Sequence, residues 1–185
     1  MVVLDGAVAR LRPIAPAELP PIFDWFTDPA RVAPFDRFVL DTYDEFVRSV
    51  EAAPREPTSL APRFAVERRP EGDLVGVVGH YRPHPVLESI DVWYVLGRPE
   101  ARGRGIGSAA VGLLVGHLFA TETVERVGAT CDVENEPSRR LLERLGFRRE
   151  GTMRQSLFHH GAWHDVHVYG VTRAEWSRPA PPAPA

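Results

Sequence analysis

Residues 102 to 107 read Arg102-Gly103-Arg104-Gly105-Ile106-Gly107, directly ahead of a run with no formally charged side chain, Gly105 to Thr121. Three alternating glycines strip the Cβ atoms from one edge of a turn, so backbone N–H groups can face a ligand. A helix starting there adds unpaired N–H groups and the positive end of its dipole, and the two guanidinium groups add full charges. Together they suit phosphate oxygens, and a diphosphate is the natural ligand. The string Gly105-Ile106-Gly107-Ser108-Ala109-Ala110 also fits the dinucleotide fingerprint G-x-G-x-x-A. Against that reading, Gly97 to Arg104 intervene after the preceding predicted strand, and no repeated parallel-strand pattern follows. A glycine-rich connection with solvated arginines is the bland alternative.

Other chemistry-bearing residues are scattered. Asn135 precedes Glu136-Pro137-Ser138, the composition of a helix N-cap followed by a first turn. Asp91 lies on the predicted strand leading to the glycine turn, although counting back from Gly103 puts Val92 in that register; a one-residue bulge would bring Asp91 round. His159, His160, His164 and His167 gather near the last predicted turn. Side chains 164 and 167 fall on opposite faces of a strand, and neither cysteine nor clustered carboxylates complete a set, so no metal is expected.

Composition limits what these residues can be used for. The 22 basic residues are all arginine, which rules out a pyridoxal Schiff base, a lysine nucleophile and a P-loop lysine. A net charge of −3 disfavours a nucleic-acid partner. The single cysteine, Cys131, cannot close an internal disulfide and suits a cytoplasmic setting, and the residues after Met1 do not read as a secretory signal. Gly105 to Thr121 is about 17 residues long and interrupted by His117, so it reads as a buried helix and no membrane partner is expected.

The elements that must position these groups follow from periodicity. A strand over Val8 to Leu11 leads to a helix over Pro16 to Phe26, with Leu19, Ile22, Phe23 and Phe26 on one face. Ala30 to Leu40 reads as an aromatic-bearing loop. Asp41 or Thr42 can cap a second helix ending near Pro54. Strands are predicted over Arg63 to Glu67, Leu74 to Tyr81 and Ser89 to Leu96. The Gly105 to Thr121 helix, a strand over Arg126 to Val133, a helix over Pro137 to Leu145 and a final hairpin over Phe147 to Phe158 and Trp163 to Val171 complete a mixed α/β layer fold. With 185 residues, one domain over 1–178 is expected, followed by a disordered proline and alanine tail over 179–185.

The motif Arg102-x-x-Gly105-x-Gly107 ahead of a helix resembles the GNAT superfamily of acyl-CoA-dependent N-acyltransferases. Asn135-x-x-Ser138-Arg-Arg-Leu-Leu-Glu-x-Leu-Gly146-Phe147-x-x-Glu150-Gly151 is similar to the stretch that marks the RimJ/RimL branch, and Trp163-His-Asp165 followed by Glu175-Trp176 is similar to that branch's ending. The resemblance implies a mostly antiparallel α/β (α+β) sheet with helices on both faces, splayed at the cofactor site. It also implies transfer of acetyl from acetyl-CoA to a primary amine, on a peptide or a small molecule, in a ternary complex. Val95, Leu96 and Gly97 would bind the acyl and pantetheine amides, and Arg102, Gly103, Arg104, Gly105, Ile106, Gly107 and Ser108 the pyrophosphate. Asn135 and Ser138 would meet the thiol arm, with Ser138 protonating the departing thiolate and Asp91, or in its place Glu88 and a water chain, taking the amine proton. Trp25, Phe35, Phe38 and Trp163 would wall the acceptor site, with a histidine at its mouth. A homodimer is compatible with the pattern. An acyl-CoA-binding module without turnover and an aminoglycoside-type antibiotic acetyltransferase stay open at this level.

Overall fold

The computed structural model describes residues 2–28, 42–53, 56, 58–84 and 86–176. The expected loop over Ala30 to Leu40, with Phe35 and Phe38, and the 179–185 tail lie outside the described residues. Eight strands, β1 Leu4–Asp5, β2 Ala9–Arg12, β3 Phe64–Arg68, β4 Leu74–Tyr81, β5 Ser89–Val95, β6 Arg126–Asp132, β7 Arg148–His159 and β8 Ala162–Thr172, form one sheet. Its order is β1-β2-β3-β4-β5-β6-β8-β7. The helices are α1 Leu19–Thr27, α2 Tyr43–Ala52, α3 Ile106–Thr121, α4 Glu136–Arg144 and α5 Arg173–Trp176. All neighbouring strands are antiparallel except β5 and β6.

Strand alternation sends two sets of side chains to two faces. Leu11, Val66, Val78, Ile90 and Val92 pack with Ile106, Ala110, Leu114 and Leu118 of α3 and Leu142 of α4. Val77, Trp93 and Val95 pack with Ile22 and Trp25 of α1 and Phe46 of α2. The helix α3 is apolar all round because the sheet, β1 and β2, and α4 each meet it. It is 16 residues long, and no described helix is long and apolar enough to cross a membrane.

The expected elements are present with shifted ends. The first strand begins one residue later, at Ala9, and gains a two-residue partner, Leu4↔Leu11 and Asp5↔Arg10, too short to leave a period in the sequence. Pro16–Glu18 forms a 3-10 turn before α1 rather than its first residues. Thr42 caps α2 by accepting the Glu45 N–H, and Glu45 reaches back to Thr42 in a capping box.

Candidate active site

Strands β5 and β6 pair over only Ser89↔Arg126, Ile90↔Val127 and Asp91↔Gly128. Beyond Asp91, β5 stays with β4 as far as Val95↔Val77, whereas β6 stays with β8 as far as Asp132↔Val166. The two strands therefore part, and a wedge opens between residues 92–95 and 129–132. One edge of this wedge is backbone polar groups that a ligand with amides could pair. The wedge leads to Leu96, Gly97 and the turn before α3.

That turn is built from its glycines. Gly103 and Gly105 hold φ of +72° and +77°, and Gly105 is the N-cap of α3. A Cβ at either would meet nothing within 4 Å, so backbone conformation, and not space, requires glycine there. Gly107 is different: its Cβ would come within 3.0 Å of Leu141 Cδ1, so it lets α4 approach α3. Residues 102 to 105 are exposed, while the Ile106 side chain is buried in the core and leaves only its backbone to the turn. Ser108 is half-buried in the first turn.

On the α3 face, Asn135 caps α4 through Oδ1, which accepts the Ser138 N–H at 3.1 Å. The Ser138 hydroxyl lies 2.6 Å from the Tyr94 hydroxyl of β5. Ser138 therefore reaches from α4 to the β5 edge of the wedge. Ser138 also contacts the Cys131 thiol, whose pKa burial pushes up to about 11, so that sulfur stays protonated at neutral pH. On the opposite face, Asp91 sits at the last paired position before the wedge, 3.6 Å from Arg126 Nη1. Arg126 in turn donates to Glu150 Oε2 at 2.5 Å. Burial raises the Asp91 carboxyl above the usual range, and Arg126 opposes that shift.

Residues 9–148 match the acetyltransferase (GNAT) domain family. The chain belongs to the GNAT acetyltransferase family. It is 30% identical over 111 residues to the uncharacterized N-acetyltransferase YoaA of Bacillus subtilis (strain 168). It is 31% identical over 99 residues to the ribosomal-protein-serine acetyltransferase of Escherichia coli (strain K12). Those matches cover 60% and 54% of this chain and span 62% and 55% of the relatives' lengths. Among solved structures, Mycobacterium smegmatis RimJ in complex with CoA-disulfide superposes with a TM-score of 0.78 at 26% identity, covering 95% of this chain and 87% of that one. The spermidine N-acetyltransferase of Vibrio cholerae, in complex with CoA and spermine, superposes at 0.76 and 19% identity, covering 94% and 100% of the two chains; that likeness is one of fold.

Several expectations for this GNAT chain need correction. Arg102 does not point out of the turn: its Nε and Nη2 donate to the Leu96 carbonyl at 3.2 and 3.0 Å, so it folds the loop. Arg104 is exposed and has no hydrogen bond or ion pair among the described residues, which leaves its fork available to an anion. The bulge invoked for Asp91 is missing, because β4 and β5 pair without a register shift, and Asp91 lies on the sheet face opposite Tyr94 and Ser138. Trp25 is only 5% exposed, and a Cβ on Gly97 would overlap its indole, so this ring closes α1 over the loop. With Pro21, Gly97, Arg98 and Pro99 it lines an open recess of about 280 Å³. Trp163 is 61% exposed on the hairpin, edge-on to Phe158. Of the expected aromatic wall, Trp25 is thus a buried packing residue and Trp163 an exposed hairpin residue.

Tyr94 and Asp132 were not anticipated. Tyr94 reads as one more aromatic in an apolar strand, and only the placement of α4 gives its hydroxyl a partner. Asp132 corrects the ground on which a metal was set aside, since it supplies the missing carboxylate: its Oδ2 lies 2.9 Å from His159 Nε2 and 3.6 Å from His164 Nδ1. His167 stands apart on the other face of β8, bonded to Thr152 Oγ1 at 2.9 Å.

Proposed function

We propose that this chain transfers an acetyl group from acetyl-CoA to a primary amine by direct attack in a ternary complex. The observation that carries the reading is the wedge between β5 and β6 running into the glycine turn at the start of α3. The backbone of Val95, Leu96 and Gly97 would hold the pantetheine amides, and the amides of Gly103 to Ser108 with Arg104 the pyrophosphate. The thiol arm enters on the α3 and α4 face and the amine on the α1 and α2 face. A base is needed on the amine side and an acid on the thiol side. Asp91 and Ser138 occupy those opposite sides of the strand separation.

The amine nitrogen attacks the thioester carbon, forming the C–N bond as the C–S bond breaks. Asp91, made more basic by burial, takes the amine proton. The Ser138 hydroxyl gives its proton to the thiolate and draws one from the Tyr94 hydroxyl, which solvent reprotonates as Asp91 releases the amine proton to water. We assign the chain to the RimJ/RimL-like branch, supported by the Asn135 to Gly151 stretch and the similarity to RimJ, and place its work in the cytoplasm. Within that branch the acceptor is a peptide amino terminus or a small amine.

The test is thiol release from acetyl-CoA with a panel of peptide, polyamine and aminoglycoside amines, beside coenzyme A and NADH binding. Coenzyme A at ~100 times its dissociation constant should stabilise the fold by roughly 2.7 kcal/mol, and NADH should not. Arg104→Ala should weaken coenzyme A roughly ten-fold or more and leave pantetheine binding unchanged, because a charge-assisted bond of about 1.5–3 kcal/mol is lost only for the phosphate-bearing ligand. Coenzyme binding without turnover on any amine would make the chain a binding module.

A further inference from the structure

The end of β6 and the tip of the β7–β8 hairpin hold a cluster that acetyl transfer does not use. The Asp132 side chain is fully buried, with 0% of its surface exposed, and no arginine lies within ion-pair distance of it among the described residues. Its Oδ1 accepts the Glu134 N–H at 2.6 Å, and its Oδ2 lies 2.9 Å from His159 Nε2. A buried carboxylate needs a cation or a full set of donors. Here the groups facing it are two imidazoles, His159 at 4% and His164 at 21% side-chain exposure.

Hairpin register puts both rings on one face. Leu157 pairs with His164 and His159 with Ala162, so the two histidines are diagonal neighbours on adjacent strands. Their rings stack at 3.7 Å and 14°. His164 is the least satisfied member. Its Nδ1, 3.6 Å from Asp132, is beyond hydrogen-bond range, and its Nε2 is buried without a hydrogen-bond partner. An imidazole with neither nitrogen bonded forfeits what either would gain in water.

We propose that Asp132, His159 and His164 form a site for a zinc-like divalent metal ion. One donor atom from each lies within 4.8 Å of the other two, near enough for small ring rotations to bring all three around one ion. Two imidazole nitrogens and one carboxylate oxygen are a set that zinc and its neighbours accept, with a coordination position left for water. The ion supplies the permanent positive charge that Asp132 lacks and the partner that His164 lacks. Coordination lies in the ring planes, so the stack opens on binding. His159 Nδ1 lies 3.0 Å from His160 Nδ1, and that outer contact fixes which His159 nitrogen faces the metal. The site joins two strands at the hairpin tip and stands independently of the acetyl-transfer assignment.

The test titrates untagged, metal-free chain with Zn²⁺ and Co²⁺, following calorimetry, the visible absorption of bound Co²⁺ and the melting temperature. The expected result is a single saturable equivalent, a cobalt spectrum of a low-coordinate N and O site, and a rise in melting temperature. His164→Gln, at a partly exposed position chosen to preserve folding, should weaken the equivalent by more than roughly 100-fold, and His160→Gln by about ten-fold, the scale of a lost outer partner. Asp132→Asn should abolish it, and His167→Gln should leave it unchanged. No saturable binding, or binding that survives His164→Gln, overturns the proposal.

Discussion

The two sides of the strand separation are built from different materials. Toward α3, the proposed recognition comes from backbone: consecutive residues 96 to 108 present amides and a helix end, and two glycines at positive φ set their direction. Toward α1 and α2, the proposed chemistry comes from side chains carried by strands far apart in sequence. Asp91 meets Arg126, which in turn meets Glu150, and Asp132 meets His159 and His164. Backbone recognition tolerates substitution wherever φ and the space around the Cβ allow it. Side-chain chemistry is lost with one atom.

The largest effect that would break this contrast is at Asp91. Asp91→Asn keeps the size and removes the base, so kcat should fall by about 10²- to 10⁴-fold while coenzyme A affinity stays put. Arg126→Gln sharpens the point. Arg126 pulls the Asp91 pKa down against burial, so its loss should move the acidic limb of the kcat/KM profile to higher pH. An unchanged rate in Asp91→Asn, or an unmoved limb in Arg126→Gln, would place the base elsewhere.

The same contrast explains what could be read without a structure. The glycine turn, the helix behind it and the α4 cap are local, so residue types within a dozen positions specify them. The split of β5 from β6 is only implied by resemblance, because it depends on where a parallel ladder stops. Pairings such as Asp132 with His159, 27 residues apart, or Tyr94 with Ser138, 44 apart, leave no periodic trace. Counting along β5 gives the face of Asp91 correctly when no bulge intervenes, but which side of the sheet the amine takes does not follow from the sequence. The Arg102 contact is equally hidden: a guanidinium in a glycine turn reads alike whether it meets phosphate or its own Leu96 carbonyl.

A smaller effect probes the α3 side for a side chain that does matter. His80 on β4 has its pKa pulled down to about 4, first by burial and then by Arg63, His117 and Arg82. Between about pH 4 and 6.5 the unfolded chain binds a proton there that the folded chain does not, so stability should rise with pH across that window. The ceiling is about 3 kcal/mol, reached at neutral pH and lost as pH falls toward 4. Denaturant unfolding at several pH values should show this rise, and His80→Gln should flatten it. A variant with the parent's pH dependence would assign the slope to other groups.

The smallest effect separates support from chemistry within α4. Asn135 holds the helix end through the Ser138 amide, and that bond uses the Ser138 backbone, not its hydroxyl. Asn135→Ala should therefore cost about 1 kcal/mol of stability, as loss of an N-cap does. Ser138→Ala keeps the amide and the cap, so its melting temperature should move less than that of Asn135→Ala. Its hydroxyl sits 2.6 Å from the Tyr94 hydroxyl, and the two are proposed to pass one proton to the departing thiolate. Removing either should slow turnover at saturation with little change in coenzyme A affinity, because the interaction is made mainly in the transition state. Groups acting in one line are not additive. Ser138→Ala, Tyr94→Phe and the double variant should then share one turnover number. Multiplying losses in the double variant would mean that the hydroxyls act separately, and parent turnover in Ser138→Ala would leave that serine a helix residue only.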